Sequence, residues 1–462
     1  MRSSRVPLFL LTATLLTSVA AVVAPAPSAT ATVASRPTEN VYTAPEATPV
    51  CRDGICVHYA QDGTNDVPTE DDGGGGTWPG VADNGVPDLV DLISTSLLPQ
   101  AATTFADAGY RAPVGDGALG GGTDQVDFYV AELAEVDGGA SCVRETPDST
   151  TTTAGYCLID NDYSAAEYGT RLSPVQNLEL DVLHQYFYLV QWAYTAANDL
   201  FGDAAASWVE DEIYTSYNRN RAYLPYGPLG QPQASLYELT TPYDGDGRWI
   251  FFRYLSERFP RAQAGLPVII RRIWEFLGAR RYSVQGVALA LRELRTDLPL
   301  QFSYFTAWNR QPRTYYSEGA SYRPAPLRLS YRIGASASRT TTFDLDHLSA
   351  KHFRYTPSMS GAWTLRVRVN MSSIAAGGSA IVTVKPRGKA PYLRKMALNA
   401  AGDGVLAVPF GSRVDWIELD AINASARFAR CGSLGSNTDA TCQGVAVDDG
   451  LKQGVVVRAV RG

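Results

Sequence analysis

Histidine is scarce in this chain, with four in 462 residues, at positions 58, 184, 347 and 352. A centre built from several imidazoles has few candidates, and no C-x-x-C pair offers a thiolate zinc framework instead. No block of Lys and Arg occurs, and the formal net charge is −7. Tracking nucleic-acid phosphates needs a basic stripe, so the composition argues against a nucleic-acid partner. No G-x-S-x-G elbow, P-loop or dinucleotide glycine fingerprint stands in a supporting context, and Gly120-Gly121-Gly122 lies in a loop ahead of a strand. After the first apolar run no second stretch of roughly 20 apolar residues follows, so no membrane span is expected. No internal repeat is visible.

What is present begins with Arg2 and Arg5, then an apolar run from Val6 to Val23. Small residues at Ala29 and Ala31 follow, with Ala24-Pro25-Ala26 as a rival cleavage site. That order reads as a secretory signal peptide over 1–31, and hence as a secreted protein. The cysteines fall in three near pairs, Cys51 with Cys56, Cys142 with Cys157, and Cys431 with Cys442. An even count in an exported chain suggests disulfides, and local closure is the simplest pairing. About 430 residues remain after the signal, too many for one core.

Residues 32–50, rich in Pro, Ala and Thr, read as a flexible leader. From 51 to 322 the pattern is mainly helical with a small sheet. Short strands are expected at Val57-His58-Tyr59, from Val126 to Val130 and from Tyr156 to Ile159. Leu89, Leu92, Ile93, Leu97 and Leu98 recur at helical spacing up to Gly109. Ser173-Pro174 opens a long central helix with an apolar stripe at Val175, Leu178, Val182, Tyr186 and Val190. Further helices are expected at 204–218, 247–258, 265–278, 284–295 and 300–309. From 323 to 462, alternating segments such as Trp363 to Val369 and Ala380 to Val384, separated by Gly-rich turns, argue for a β-sandwich. The fold class is thus α+β, a helical domain followed by an all-β one.

The central helix carries His184-Gln185-Tyr186-Phe187-Tyr188, with positions 184 and 188 one turn apart on one face. In H-E-x-x-H, that spacing places two zinc ligands together with a glutamate base beside them. The chain resembles a family of secreted bacterial zinc metallopeptidases over most of its mature length. Their central helix reads approximately H-E-F-F-H-A-V-Q-F-A-Y, against residues 184–194 here. Their next helix reads approximately E-A-T-A-T-W-M-E-D-E-V-Y, against residues 203–214 here. Arg248 to Leu255 continues the match.

The resemblance implies a zincin-like domain with zinc as cofactor, the first ligand on His184, the base on Gln185, the second ligand on Tyr188 and the third on Asp203. Three of these four are altered. An amide at 185 cannot accept and return a proton. A phenol with pKa about 10 must lose its proton to bind zinc well. Asp203 is one methylene shorter than glutamate. His184 can equally be an ordinary histidine hydrogen-bonded on a helix, and Glu210-Asp211-Glu212 either oxygen ligands or a solvated or structural acidic turn.

Relatives also carry a D-x-N-x-N-G-V-P-D-type loop resembling a calcium turn, here Gly80 to Asp91. Gly80 and Ala82 occupy positions 1 and 3, while Asn84, Asp88 and Asp91 survive as calcium candidates beside the plainer reading of a helix-capping turn. Asp160-Asn161-Asp162 resembles a segment shared with the same family, which implies structural or metal-linked carboxylates, the structural reading being favoured. The main expectation is a secreted metallopeptidase-like protein that has lost zinc-dependent proteolysis and acts by binding an extracellular protein or peptide. Two alternatives remain. One is an active peptidase with non-standard ligands and Glu210 or Glu212 as base, the other a cell-envelope or glycan-binding protein working through the C-terminal β-domain.

Overall fold

The computed structural model describes residues 42, 44–117, 124–133, 140–145, 152–196, 201–237, 243–279, 283–430 and 445–461. The expected signal peptide, most of the leader up to residue 43, and the Cys431 and Cys442 pair lie outside the described residues. Order begins before Cys51. Tyr42 donates its hydroxyl to the Val130 carbonyl at 2.8 Å, and Ala47 N–H donates to the Tyr59 carbonyl at 2.9 Å.

The N-terminal sheet comprises β1 (Val50–Arg52), β2 (Ile55–His58), β3 (Val126–Ala131), β4 (Ala140–Arg144) and β5 (Gly155–Asp160), in the order β1-β2-β3-β5-β4. β2, β3 and β5 run parallel; β1 and β4 are antiparallel edges. Every residue of β3 and β5 is buried, including the carboxylates of Asp127 and Asp160, as expected of strands covered on both faces. Cys51–Cys56 closes the β1–β2 hairpin and Cys142–Cys157 ties edge strand β4 to β5. Both expected local staples that fall in the described residues are therefore present. Disulfides of this kind fit an oxidising, extracytoplasmic compartment.

Helices cover the sheet. α1 (Asp88–Leu92) runs through a π-helical turn (Ile93–Leu97) into α2 (Leu98–Asp107), and Gly109, at φ +82°, ends the rod. A short α3 (Ala165–Tyr168) precedes α4 (Pro174–Trp192), whose start is a capping box: Gln176 N–H donates to Ser173 Oγ at 3.2 Å, and Ser173 N–H to Gln176 Oε1 at 3.0 Å. α4 lies between the sheet and α2 on one side and α5 (Gly202–Ile213) on the other. α5 stops five residues before the expected 218, because Tyr214 leaves helical geometry at φ −108°, ψ 57°. α6 (Asp244–Gly247) and α7 (Trp249–Arg258) follow, then a ribbon of β6 (Ala262–Gln263) and β7 (Leu266–Pro267), then α8 (Val268–Gly278), α9 (Ser283–Glu293) and α10 (Leu298–Arg310). Among the described residues no helix is long and apolar enough to cross a membrane.

The C-terminal half contains β8 (Leu329–Ile333), β9 (Ser338–Leu345), β10 (Ser349–Pro357), β11 (Ala362–Asn370), β12 (Gly378–Pro386), β13 (Tyr392–Lys395), β14 (Asp403–Gly411), β15 (Val414–Asn423), β16 (Phe428–Ala429), β17 (Val445–Ala446) and β18 (Leu451–Arg461). One sheet is ordered β13-β12-β15-β10-β8, the other β14-β11-β18-β9. Phe353, Val382 and Leu419 of the first share a core with Leu365, Phe410 and Val457 of the second. The other face of the first sheet packs on α10. Ile381 and Ile422 belong to the helical domain's core, and Arg310 forks onto the fully buried Glu418 at 2.6 and 3.2 Å. One face of the first sheet thus joins the core of the helical half, while the two sheets keep a core of their own between them.

Candidate functional site

α4 and α5 form the floor of a cleft of about 780 Å³. β4 makes one wall, and the segments around Arg219–Tyr226 and Tyr243–Asp246 make the other. The i, i+4 spacing puts His184 and Tyr188 on one face of α4, with ring centroids 5.2 Å apart, both facing this space. Asp203, in the first turn of α5, faces it too, so the three expected ligand positions line one cleft.

Below them runs a chain of charge. His184 Nδ1 lies 2.6 Å from Glu210 Oε1. Arg219 clasps Glu210 through Nη2 (2.8 Å) and Nε (3.2 Å) and reaches Asp181 through Nη1 (2.5 Å). Burial pulls the imidazole of His184 down, but the hydrogen bond and charge of Glu210 outweigh it and raise its pKa above the ordinary value. Burial pushes Glu210 up, yet Arg219 and His184 together hold it below the usual carboxylate range. Asp181 ends up raised, because burial outweighs its pairing with Arg219.

The second cluster sits above. The Tyr188 hydroxyl donates to Asp203 Oδ1. Burial, and then the charges of Asp203 and Asp246, push the phenol well above its ordinary value, so it keeps its proton. Ser207 Oγ donates to Asp246 Oδ1 at 2.5 Å, and burial lifts Asp246 to about 6. A Cβ at Gly245 would displace the Asp203 carboxylate, so glycine lets the α6 turn approach it this closely. Tyr226 and Tyr243 meet at the rim with ring planes tilted by 50° and centroids 5.2 Å apart.

This donor set does not fit a zinc peptidase centre. Catalytic zinc takes three protein ligands within about 2.3 Å plus a water. Here the phenol at 188 retains its proton and spends it on the carboxylate at 203. Among the described residues, no three ligand atoms of His, Cys, Asp or Glu gather within 4.8 Å of one another around His184, though such groups exist elsewhere. Gln185 is buried, its amide oxygen 3.1 Å from the bridged Cys142 sulfur, filling the wall where a base would stand.

The acidic stretch after Trp208 is neither solvated nor a turn. It is helical, with Glu210 facing the cleft while Asp211 and Glu212 turn away to Arg253 at 3.1 and 3.3 Å. Glu212 also accepts from Trp208 Nε1 at 3.0 Å. Asp160 accepts three backbone N–H groups, from Leu133, Asp162 and Tyr163, in keeping with a structural role. His347 and His352 are buried in the C-terminal half, and His58 of β2 pairs with Asp127 of the neighbouring β3. Of the calcium candidates, Asn84 turns its side chain back to accept Val86 N–H, whereas Asp88 and Asp91 are buried. Sequence reasoning missed Asp181, Arg219 and Asp246. Asp181 stands at i−3 from His184, which was a usable signal; the other two come from a short 3-10 helix and a one-turn α-helix.

No family model matches the chain and no curated protein matches it. The pre-peptidase C-terminal domain of collagenase from Bacillus anthracis is similar over 30% of this chain and 100% of that domain, at 7% identity and TM-score 0.18. The periplasmic lysozyme inhibitor PliG of Aeromonas hydrophila is similar over 28% of this chain and 97% of its own, at 13% identity and TM-score 0.16. For the surface-associated copper-binding protein CorA of Methylomicrobium album the figures are 29%, 98%, 13% and 0.15. At these scores the likenesses carry no conclusion about fold or function.

Proposed function

We propose that this chain is a secreted, zincin-like metallopeptidase relative whose cleft binds an extended polypeptide without zinc-dependent hydrolysis. The observation that carries the reading is the Tyr188–Asp203 hydrogen bond, which occupies two inherited ligand positions with a protonated phenol and its acceptor. The amide of Gln185 supports it, since no proton can be taken from water at that position. Glu210, the base of the active-enzyme alternative, is engaged by Arg219 and His184 and held low, and Glu212 lies outside the cleft.

Polypeptide is the favoured ligand because β4 pairs only with β5 among the described residues, and its other edge borders the cleft. A free edge recognises an extended chain through backbone hydrogen bonds, with side-chain pockets adding selectivity. Tyr226, 37% exposed at the rim, offers an aromatic anchor. Zinc content after dialysis against Zn2+, proteolysis with and without chelator, and anisotropy with labelled peptides test the proposal. The expected results are substoichiometric zinc, no chelator-sensitive cleavage, and peptide binding weakened about tenfold by Tyr226→Ala. Stoichiometric zinc with hydrolysis abolished in His184→Ala would sink it.

A further inference from the structure

Residues 53–110 contain ten Asp or Glu and no Lys or Arg. Within them the loop over 70–87 folds across the start of α1, drawn in by carboxylates. Asp88 Oδ2 accepts Asp72 N–H and Gly74 N–H, both at 3.3 Å. Asp72 Oδ1 accepts Gly75 N–H at 2.7 Å, and Glu70 Oε1 accepts Thr77 N–H at 2.6 Å. A Cβ at Gly76 would collide with the Glu70 carboxylate, so the glycine run lets backbone lie directly on it.

These bonds leave one Asp88 oxygen unused. Asp88 is 0% exposed and its Oδ1 has no hydrogen-bond partner. Ligand oxygens of Glu70, Asp72 and Asp88 lie within 4.8 Å of one another. One turn along the helix, Asp91 is 3% exposed and also has an unpartnered Oδ1, while its Oδ2 accepts Ala82 N–H at 3.2 Å. Among the described residues no basic side chain pairs with any carboxylate of this loop. Three clustered carboxylates, one fully buried, repel one another and lack the countercharge that burial demands.

We propose that Glu70, Asp72 and Asp88 hold a calcium ion that pins the loop to the start of the α1–α2 rod. The chemistry is that of a hard divalent cation, since all the donors are oxygens. Calcium is favoured over magnesium because an irregular, glycine-rich loop suits its loose coordination of 6–8 oxygens, whereas magnesium demands a near-ideal octahedron. The site differs from the sequence expectation. Asp88 is shared, but its neighbours are Glu70 and Asp72 from the near side of the loop, and Asn84 is spent on its own turn.

The test uses the whole protein, stripped with EGTA and titrated with CaCl2 by calorimetry, with parallel thermal melts. One site is expected, with Kd between about 10⁻⁶ and 10⁻³ M. At 100 Kd of free calcium the Tm should rise by about 3 °C. Asp88→Asn should abolish the binding heat and the Tm rise. Asp72→Asn, at a more open position, should weaken binding at least tenfold and serves if the buried variant does not fold. Absence of calcium heat in the wild type, unchanged binding in both variants, or magnesium binding as tight as calcium would overturn the assignment.

Discussion

Replacing Arg219 by methionine removes the cation that joins two buried carboxylates under the cleft, at nearly constant volume. Asp181 and Glu210 have side chains 2% exposed, and Arg219 reaches them at 2.5 and 2.8 Å. An exposed ion pair contributes about 0–1 kcal/mol, but stripping one partner from a buried pair costs about 3–5 kcal/mol, because the remaining charge has no water to return to. The burial places this network in the second class. His184 still pairs with Glu210, and Asp181 escapes part of the cost by taking a proton, since its pKa is already raised by burial. The expected loss at pH 7.5 is therefore near the lower end, about 3 kcal/mol.

Urea unfolding followed by tryptophan fluorescence reads this directly, provided the m-value is unchanged. The pH dependence gives the stricter check. Glu210 is held low in the wild type, so its contribution is present above its unfolded pKa of about 4.5 and is lost as pH falls through the depressed folded value. Without Arg219 that depression disappears and protonation relieves the buried charge, so the deficit of Arg219→Met should shrink on acidification from pH 7.5 to 5. A deficit under about 1 kcal/mol at pH 7.5, or one that grows towards pH 5, would refute the buried-network reasoning.

Two further outcomes follow from the sheet. Cys142 and Cys157, 15 residues apart, clamp the edge strand that walls the cleft; the double serine variant should lose about 3 kcal/mol in denaturant titration and weaken peptide binding as β4 frays. His58 is buried between Asp127 at 3.1 Å and Glu46 at 3.4 Å. Burial lowers its pKa, but the two carboxylates overcome this and lift it to about 9. Its contribution, of order 3 kcal/mol, is thus complete below about pH 6.5 and lost as pH rises through about 9. Denaturation midpoints from pH 6 to 10 should fall across that window and should flatten in His58→Gln. An unchanged slope in the variant would remove His58 as the cause.

Local patterning in the sequence was sufficient wherever one face or one terminus decides the structure. Ser173-Pro174 and the apolar stripe behind it define α4 because capping and helical periodicity are local physics. The i, i+4 spacing placed His184 and Tyr188 together for the same reason. The two near cysteine pairs that fall in the described residues proved to join adjacent strands. Strand β4 was not legible: five residues, four of them half-buried, show no clean alternation, and its strand character comes from pairing with β5. β12 and β15 were recognisable as strands, but not that they are buried on both sides, which depends on α10 packing from a distance in sequence.

By itself, then, the sequence determined the α+β order of elements, the shared face of the central helix and the presence of an amide, which cannot act as a base, at position 185. What only tertiary structure decided is the electrostatic company each group keeps. Arg219 and Asp246 reach the cleft from segments with no periodicity, and Glu210 separates from Asp211 and Glu212 only because neighbouring helix positions face different partners. Whether Tyr188 acts as a ligand or a proton donor is set by its distance to Asp203, and whether Asp88 is a cap or a cation ligand by the loop that closes over it. Those are long-range encounters of charged groups, whose energies depend on burial and separation rather than on any local sequence pattern.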